Sequence, residues 1–261
     1  MLAIQPAAWL HLLGLLALNH AILACGMHPR SSLLGPNMTR LPAVSSGTVS
    51  ITFDDGPHDD VTPKVLDILD AHGATASFFV VGQRAARRGP LLRDALRRGH
   101  SVENHTHRHP AGFAAFGALR LRREIAEAQA AIADACGQAP RFFRAPMGLR
   151  SPLLDPVLAI EGLRLVSWTR RGYDTVTSCT DRILARLARG LASGDILLLH
   201  DTAARTDADG KPDVLTVLPR LLELIASAGL KATALPDSPA PLRSRGTFIG
   251  TQAEAGAPTS Q

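Results

Sequence analysis

Residues 48–57, TVSITFDDGP, carry the clearest sign of a parallel α/β protein. The first six residues form a β-branched and apolar run that is typical of a strand buried on both faces. Two adjacent aspartates and a Gly-Pro turn follow at once. Since neighbouring side chains of an extended segment point in different directions, one aspartate can bind a metal while the other acts as a base. Taken alone, the motif also fits a solvated turn.

Similar apolar runs alternate with amphipathic helical stretches along most of the chain. The predicted strands are 48–53, 75–81, 100–104, 141–144, 164–169, 195–199 and 231–235. The predicted helices are 62–71, 85–98, 117–135, 152–161, 180–191 and 214–228, and Thr62 before Pro63 is expected to cap the first. Such alternation implies parallel strands joined by right-handed helical crossovers. Polar residues at the strand ends favour a barrel over an open wound sheet.

The length of 261 residues suits one barrel-sized domain with short extensions. A composition of 46% hydrophobic and 20% charged residues excludes a largely disordered or collagenous chain. We expect an apolar segment and linker at 1–44, a catalytic domain at 45–236 and a disordered tail at 237–261. Three widely spaced cysteines without a C-x-x-C pair argue against a disulfide framework.

The net charge of +5 comes mostly from arginine. The paired arginines lie on predicted helices with no interleaved aromatic residues, so we expect no nucleic-acid partner. An anionic envelope surface of lipid or polymer suits this charge equally well.

An apolar run at residues 7–27 approaches the roughly 20 residues that a membrane helix needs. This run is consistent with a membrane anchor, a signal sequence, a lipoprotein leader with Cys25 as the lipidated residue, or a leader helix packed on the domain. No Lys or Arg precedes it, whereas Arg30 and Arg40 follow, and the positive-inside rule would then leave the domain in the cytoplasm. We expect membrane association through this run, or export to the cell envelope, with the cytoplasmic face left open.

Reactive side chains follow the ends of most predicted strands, where a parallel barrel builds its active site. They are Asp54, Asp55, His105, His107, His109, Arg144, Asp174 and His200. His105 and His109 are four residues apart and, with an aspartate, would supply two nitrogens and one oxygen to a divalent metal. His200 is expected to protonate a leaving amine, with Asp174 as its hydrogen-bond partner. Arg144 would pair with the base aspartate, although an ordinary salt bridge fits it too.

At these residues the sequence resembles the polysaccharide deacetylase family, also called the NodB-homology domain or carbohydrate esterase family four, over about residues 46–236. The resemblance implies a distorted seven-stranded (β/α) barrel that binds a divalent metal, Zn²⁺ first and Co²⁺ or Ni²⁺ as alternatives. It implies that Asp54 is the catalytic base and that Asp55, His105 and His109 bind the metal. Arg144 would orient the base, and His200 would be the general acid.

The resemblance also indicates the substrate groove. Its blocks place Pro146, Met147, Gly148 and Leu198 there, and Tyr173 is assigned by proximity. Two positions depart from the family, because Met147 stands where an aromatic residue is usual and Thr175 follows Asp174 where tryptophan is usual. Both positions normally line the groove, so they bear on which substrate is preferred. Trp168 or Tyr173 would supply the missing aromatic surface.

The function implied is metal-dependent hydrolysis of N-acetyl groups on N-acetylhexosamine units of a polysaccharide or oligosaccharide. An alternative keeps the site and changes the substrate to an O-acetyl ester or a lipid-linked formamido or acetamido sugar. A glycan-binding protein without turnover is a third reading.

Overall fold

The strands form one parallel sheet that curls into a barrel with helices on its outer face. The computed structural model describes residues 6–43, 45–202, 205–206 and 210–236. Its strands are β1 Thr48–Asp54, β2 Ala76–Val80, β3 Ser101–Asn104, β4 Phe142–Phe143, β5 Arg164–Leu165, β6 Arg170–Arg171, β7 Ile196–His200 and β8 Lys231–Ala232. All seven predicted strand regions contain strand structure.

The sheet order is β5-β4-β3-β2-β1-β7-β6, and β8 pairs with the start of β1. The two outermost strands belong to one segment, 164–171, whose beginning pairs with β4 and whose end pairs with β7. This segment was predicted as the single strand 164–169. The segment forms two short strands because its first residues pair with β4 and its last residues pair with β7. This exchange of partners connects the two ends of the sheet and closes the barrel. The predicted distorted (β/α) barrel is therefore confirmed.

The helices follow the predicted positions closely. They are α1 Pro6–Met27, α2 Thr62–Ala71, α3 Gly82–Ala85, α4 Gly89–Arg97, α5 Ala118–Cys136, α6 Leu154–Glu161, α7 Thr180–Ala188 and α8 Asp213–Ser227. The predicted helix 85–98 is two helices, because Pro90 lies in the first turn of α4, where its missing N–H costs no hydrogen bond. The predicted cap at Thr62 is wrong, since its hydroxyl donates instead to Asp201 at 2.6 Å.

A continuous hydrophobic core lies between β1, β2 and the helices around them. Phe53 of β1 stacks on Phe78 of β2, with ring centroids 5.1 Å apart, and both side chains are buried. A second cluster lies under α5 and α6, and a third fills the side of the barrel near Trp168. This packing holds the ends of the central strands in fixed positions.

The segment after α1, expected to be a linker, packs on the barrel. The buried Arg150 side chain donates hydrogen bonds to backbone carbonyls of Ser31, Leu34 and Gly35, and Leu41 is part of the core. Among the described residues, one helix is long and apolar enough to cross a membrane, at Trp9–Met27, and it is almost entirely exposed. The predicted tail 237–261 lies outside the described residues.

Candidate active site

Three potential metal ligands converge where β1 and β3 end. Side-chain donor atoms of Asp55, His105 and His109 all lie within 4.8 Å of one another. Asp55 Oδ1 is 3.4 Å from Nε2 of His105 and 3.2 Å from Nε2 of His109. One carboxylate oxygen and two imidazole nitrogens form a donor set suited to a divalent transition metal. His107 is not in this group, and its Nδ1 is buried beside Gly82.

Hydrogen bonding and charge prepare this cluster for a cation. Nδ1 of His105 lies 2.8 Å from the carbonyl oxygen of Arg144, so it donates there and leaves Nε2 facing Asp55. Burial opposes protonation of His105, but the charges of Asp54 and Asp55 raise its pKa above the ordinary value. Burial and the neighbouring His105 lower the pKa of His109, which favours the neutral imidazole that metals bind. The aspartate oxygen and the two imidazole nitrogens therefore fit a divalent ion.

The Asp55 carboxylate is held ionised in this cluster. Burial alone would raise its pKa, but the hydrogen bond and positive charge of His105 outweigh burial and hold the pKa well below the ordinary range. An ionised oxygen ligand is what a hard or borderline divalent cation requires.

Asp54 is clamped by a buried arginine. Arg144 Nη1 donates to Asp54 Oδ1 at 2.6 Å and to the Thr52 hydroxyl at 2.8 Å, while Nη2 donates to the Ser167 carbonyl at 3.0 Å. Burial lowers the pKa of Arg144, and the charge of Asp54 partly offsets this. The other oxygen, Asp54 Oδ2, lies 3.9 Å from His105 Nε2. One oxygen of Asp54 is thus fixed, and the other faces the candidate metal site.

His200, at the end of β7, is oriented by Asp174. One oxygen of Asp174 lies 2.9 Å from His200 Nδ1, and the other accepts the backbone N–H of His200 at 2.8 Å. Burial lowers the pKa of His200, but the Asp174 charge and hydrogen bond raise it above the ordinary value. Because Nδ1 of His200 is bonded to Asp174, Nε2 of the protonated imidazole carries the proton that can be donated into the cavity.

A cavity of about 300 Å³ brings these groups together. It is lined by Asp54, Asp55, His105, His109, Met147, Gly148, Trp168, Arg171, Thr175, Leu198 and His200. The other predicted site residues do not line this cavity: Arg144, Pro146 and Asp174 are buried, and Tyr173 is about half exposed. Arg171 was not predicted as a site residue, because it lies beyond the predicted strand 164–169 and the sequence pattern assigned it to neither face of a sheet.

Backbone strain is concentrated at the same mouth. Among the described residues, positive φ angles at non-glycine positions occur at Asp55, Thr106, His109, Met147 and Tyr173. All five lie in loops that follow strands and surround the cavity. Left-handed backbone at such residues costs free energy and is found where the surrounding structure fixes a functional geometry.

Polar groups of this kind at the carboxyl ends of barrel strands suit metal-dependent hydrolysis. The model of the family described as polysaccharide deacetylase matches residues 42–166. A chitooligosaccharide deacetylase from Sinorhizobium fredii is 36% identical over 197 residues, which is 73% of this chain and 91% of that protein. The chain therefore belongs to the polysaccharide deacetylase family, whose members depend on a metal.

Two further proteins extend the comparison. A peptidoglycan-N-acetylglucosamine deacetylase from Bacillus cereus is 28% identical over 191 residues, 72% of this chain and 66% of that protein. The solved structure of a family 4 carbohydrate esterase from Streptomyces lividans in complex with acetate has a TM-score of 0.64 and 34% identity. It covers 71% of this chain and 91% of the other.

Proposed function

We propose that this protein hydrolyses N-acetyl groups from N-acetylhexosamine units of an envelope or extracellular glycan, using a bound zinc ion. The observation that carries the proposal is the cavity in which a candidate base, a candidate acid and an Asp-His-His cluster meet. The related proteins named as chitooligosaccharide and peptidoglycan N-acetylglucosamine deacetylases support an acetylated amino sugar as the substrate.

Asp55, His105 and His109 would hold the metal. When bound, a divalent ion there supplies Lewis-acid chemistry, which polarises a carbonyl and makes water more acidic. Asp55 enters as an ionised oxygen ligand, and the hydrogen bond from His105 Nδ1 to a backbone carbonyl fixes the ring for ligation through Nε2.

Asp54 acts as the general base. Arg144 engages Oδ1, so Oδ2 receives the proton from the attacking water. The water oxygen forms a bond to the amide carbon, and the carbon–nitrogen bond then breaks. His200 gives its Nε2 proton to the departing amine, while Asp174 keeps the imidazole oriented and favours its protonated form. The products are acetate and the free amino sugar.

Met147, Gly148 and Leu198 form part of the sugar-binding wall, with Pro146 supporting the turn and Tyr173 at the rim. Trp168 supplies the aromatic surface that Met147 and Thr175 do not. The Trp168 ring packs directly against Gly148 of the cavity lining, which supports this assignment.

We further propose that α1 holds the enzyme at a membrane through residues 7–27. The exposure of its apolar side chains supports this placement, because Leu10, Leu13 and Leu15 are each more than half exposed. Pro29, two residues beyond the helix, packs against Gly148 of the cavity wall. The cavity would then open close to the membrane surface, which favours a lipid-linked acylated sugar as the second candidate substrate.

The test is release of acetate from N-acetylglucosamine oligomers by the purified full chain in detergent. We expect activity that disappears on chelation and returns with zinc. Metal-free protein with full activity would refute the metal-dependent mechanism. Formate release from a lipid-linked formamido sugar, with no acetate from the oligomers, would replace the proposed substrate by the second candidate.

A further inference from the structure

Strand β6, which closes the barrel, carries a cavity arginine that the proposed reaction does not use. Arg171 is in register with Leu198 of β7, and paired residues of parallel strands face the same side of a sheet. Leu198 lines the cavity, and so does Arg171. The preceding residue, Arg170, faces the other side, where its Nε donates to the buried Asp195 at 2.6 Å.

Arg171 lacks the partners that Arg170 has. Within the described residues its side chain makes no hydrogen bond or ion pair, and its Nε is shielded from solvent with no acceptor. Its guanidinium carbon lies 5.4 Å from the ring centroid of Trp168 and 5.1 Å from that of Tyr173. The two rings restrict where the guanidinium can move while leaving its N–H donors available.

The carboxylates in the same cavity do not serve as its counter-ions. Asp54 is paired with Arg144, and Asp55 faces the two imidazoles of the metal cluster. A partly buried cation without an anion is unfavourable unless a ligand supplies the negative charge. A planar guanidinium is best matched by a carboxylate or a phosphate, which can accept two parallel hydrogen bonds.

We propose that Arg171 binds an oxyanion, a carboxylate or a phosphate, on the substrate glycan near the sugar that loses its acyl group. The proposal rests on the proposed function, because it assumes a glycan in this cavity. It makes the natural substrate an acidic glycan and Arg171 a specificity-determining residue. Arg186 contacts the same Tyr173 ring, at 5.2 Å, but is exposed and does not line the cavity, so it serves as a matched control.

Binding is measured with the zinc-loaded full chain in an Asp54→Asn background, which prevents turnover during the titration. The calorimetric ligands are neutral diacetylchitobiose, the N-acetylglucosamine–N-acetylmuramic acid disaccharide with its carboxylate, and N-acetylglucosamine 1-phosphate. We expect one of the two anionic ligands to bind about ten- to hundredfold more tightly than the neutral one, as for a charge-assisted hydrogen bond. The anionic ligand that binds more tightly than the neutral one identifies the group recognised by Arg171 as a carboxylate or a phosphate.

Arg171→Gln should abolish this preference, Arg171→Lys should keep part of it, and Arg186→Gln should keep all of it. Equal affinity of wild-type Arg171 protein for all three ligands would overturn the proposal, as would a preference that survives Arg171→Gln. Circular dichroism verifies that each variant is folded. Acetate release by the protein with Asp54 intact tests the proposed function separately, so failure of turnover does not affect the comparison of affinities.

Discussion

The Asp174→Asn substitution tests the proposed role of His200 as the proton donor. Burial lowers the pKa of His200, and the Asp174 carboxylate raises it beyond the ordinary value. An uncharged amide leaves the effect of burial in place and removes the compensation. A hydrogen bond to a charged group is worth about 1.5–3 kcal/mol, so we expect kcat to fall roughly ten- to hundredfold.

The same substitution changes the pH dependence. A general acid works in its protonated form, so kcat falls as pH rises through the pKa of His200. We expect the alkaline limb of the kcat profile to move to lower pH in the variant. A histidine whose pKa is raised by folding stabilises the protein fully below about pH 6.5, and this contribution is lost as pH rises through the raised pKa. The two proteins should therefore differ most in unfolding free energy at acidic pH.

The assay is acetate release from N-acetylglucosamine oligomers by zinc-loaded protein across this pH range, with urea unfolding at about pH 6 and about pH 9. Asp181→Asn is the matched control, because Asp181 is an exposed carboxylate paired with Arg220 at 2.9 Å on the outer helices. An alkaline limb that coincides in wild type and Asp174→Asn would refute this account of His200.

Three further results are expected. Asp54→Asn should retain the metal and lose turnover, whereas His105→Ala should lose the metal. Elemental analysis and acetate release test both variants. Metal bound to the His105→Ala protein would contradict the ligand assignment. Burial raises the pKa of Asp201 from 3.8 to about 7, so its protonated form stabilises folding by about 4 kcal/mol below about pH 4, and this is lost as pH rises to about 7. Asp201→Asn should flatten that loss in urea titrations at several pH values. A fragment of residues 28–261 should leave the membrane fraction and stay folded. A fragment of residues 45–261 should melt at a lower temperature, because it lacks the segment packed on the barrel. Equal melting temperatures of the two fragments would show that this segment does not stabilise the fold.

Much of the architecture was available from the sequence. Strand β7 contains the uninterrupted apolar run 196–199, and β1 and β2 consist mainly of β-branched and aromatic residues, a composition typical of buried parallel strands. The candidate metal and base residues follow β1 and β3 within short contiguous motifs, so their placement at one barrel mouth depends only on the strands being parallel.

Tertiary structure decided the features that depend on register and on contacts between distant residues. Segment 164–171 contributes only two residues to each of its strands, too few for a periodic pattern, so only pairing with β4 and β7 determines that Arg171 faces the cavity while Arg170 faces Asp195. Likewise, nothing local predicts that residues 28–41 pack on the barrel, because the carbonyls that Arg150 binds are more than a hundred residues away in the chain. Hydrophobic periodicity encodes which face of an element is buried, whereas the partner of an individual polar group is determined only when the chain has folded.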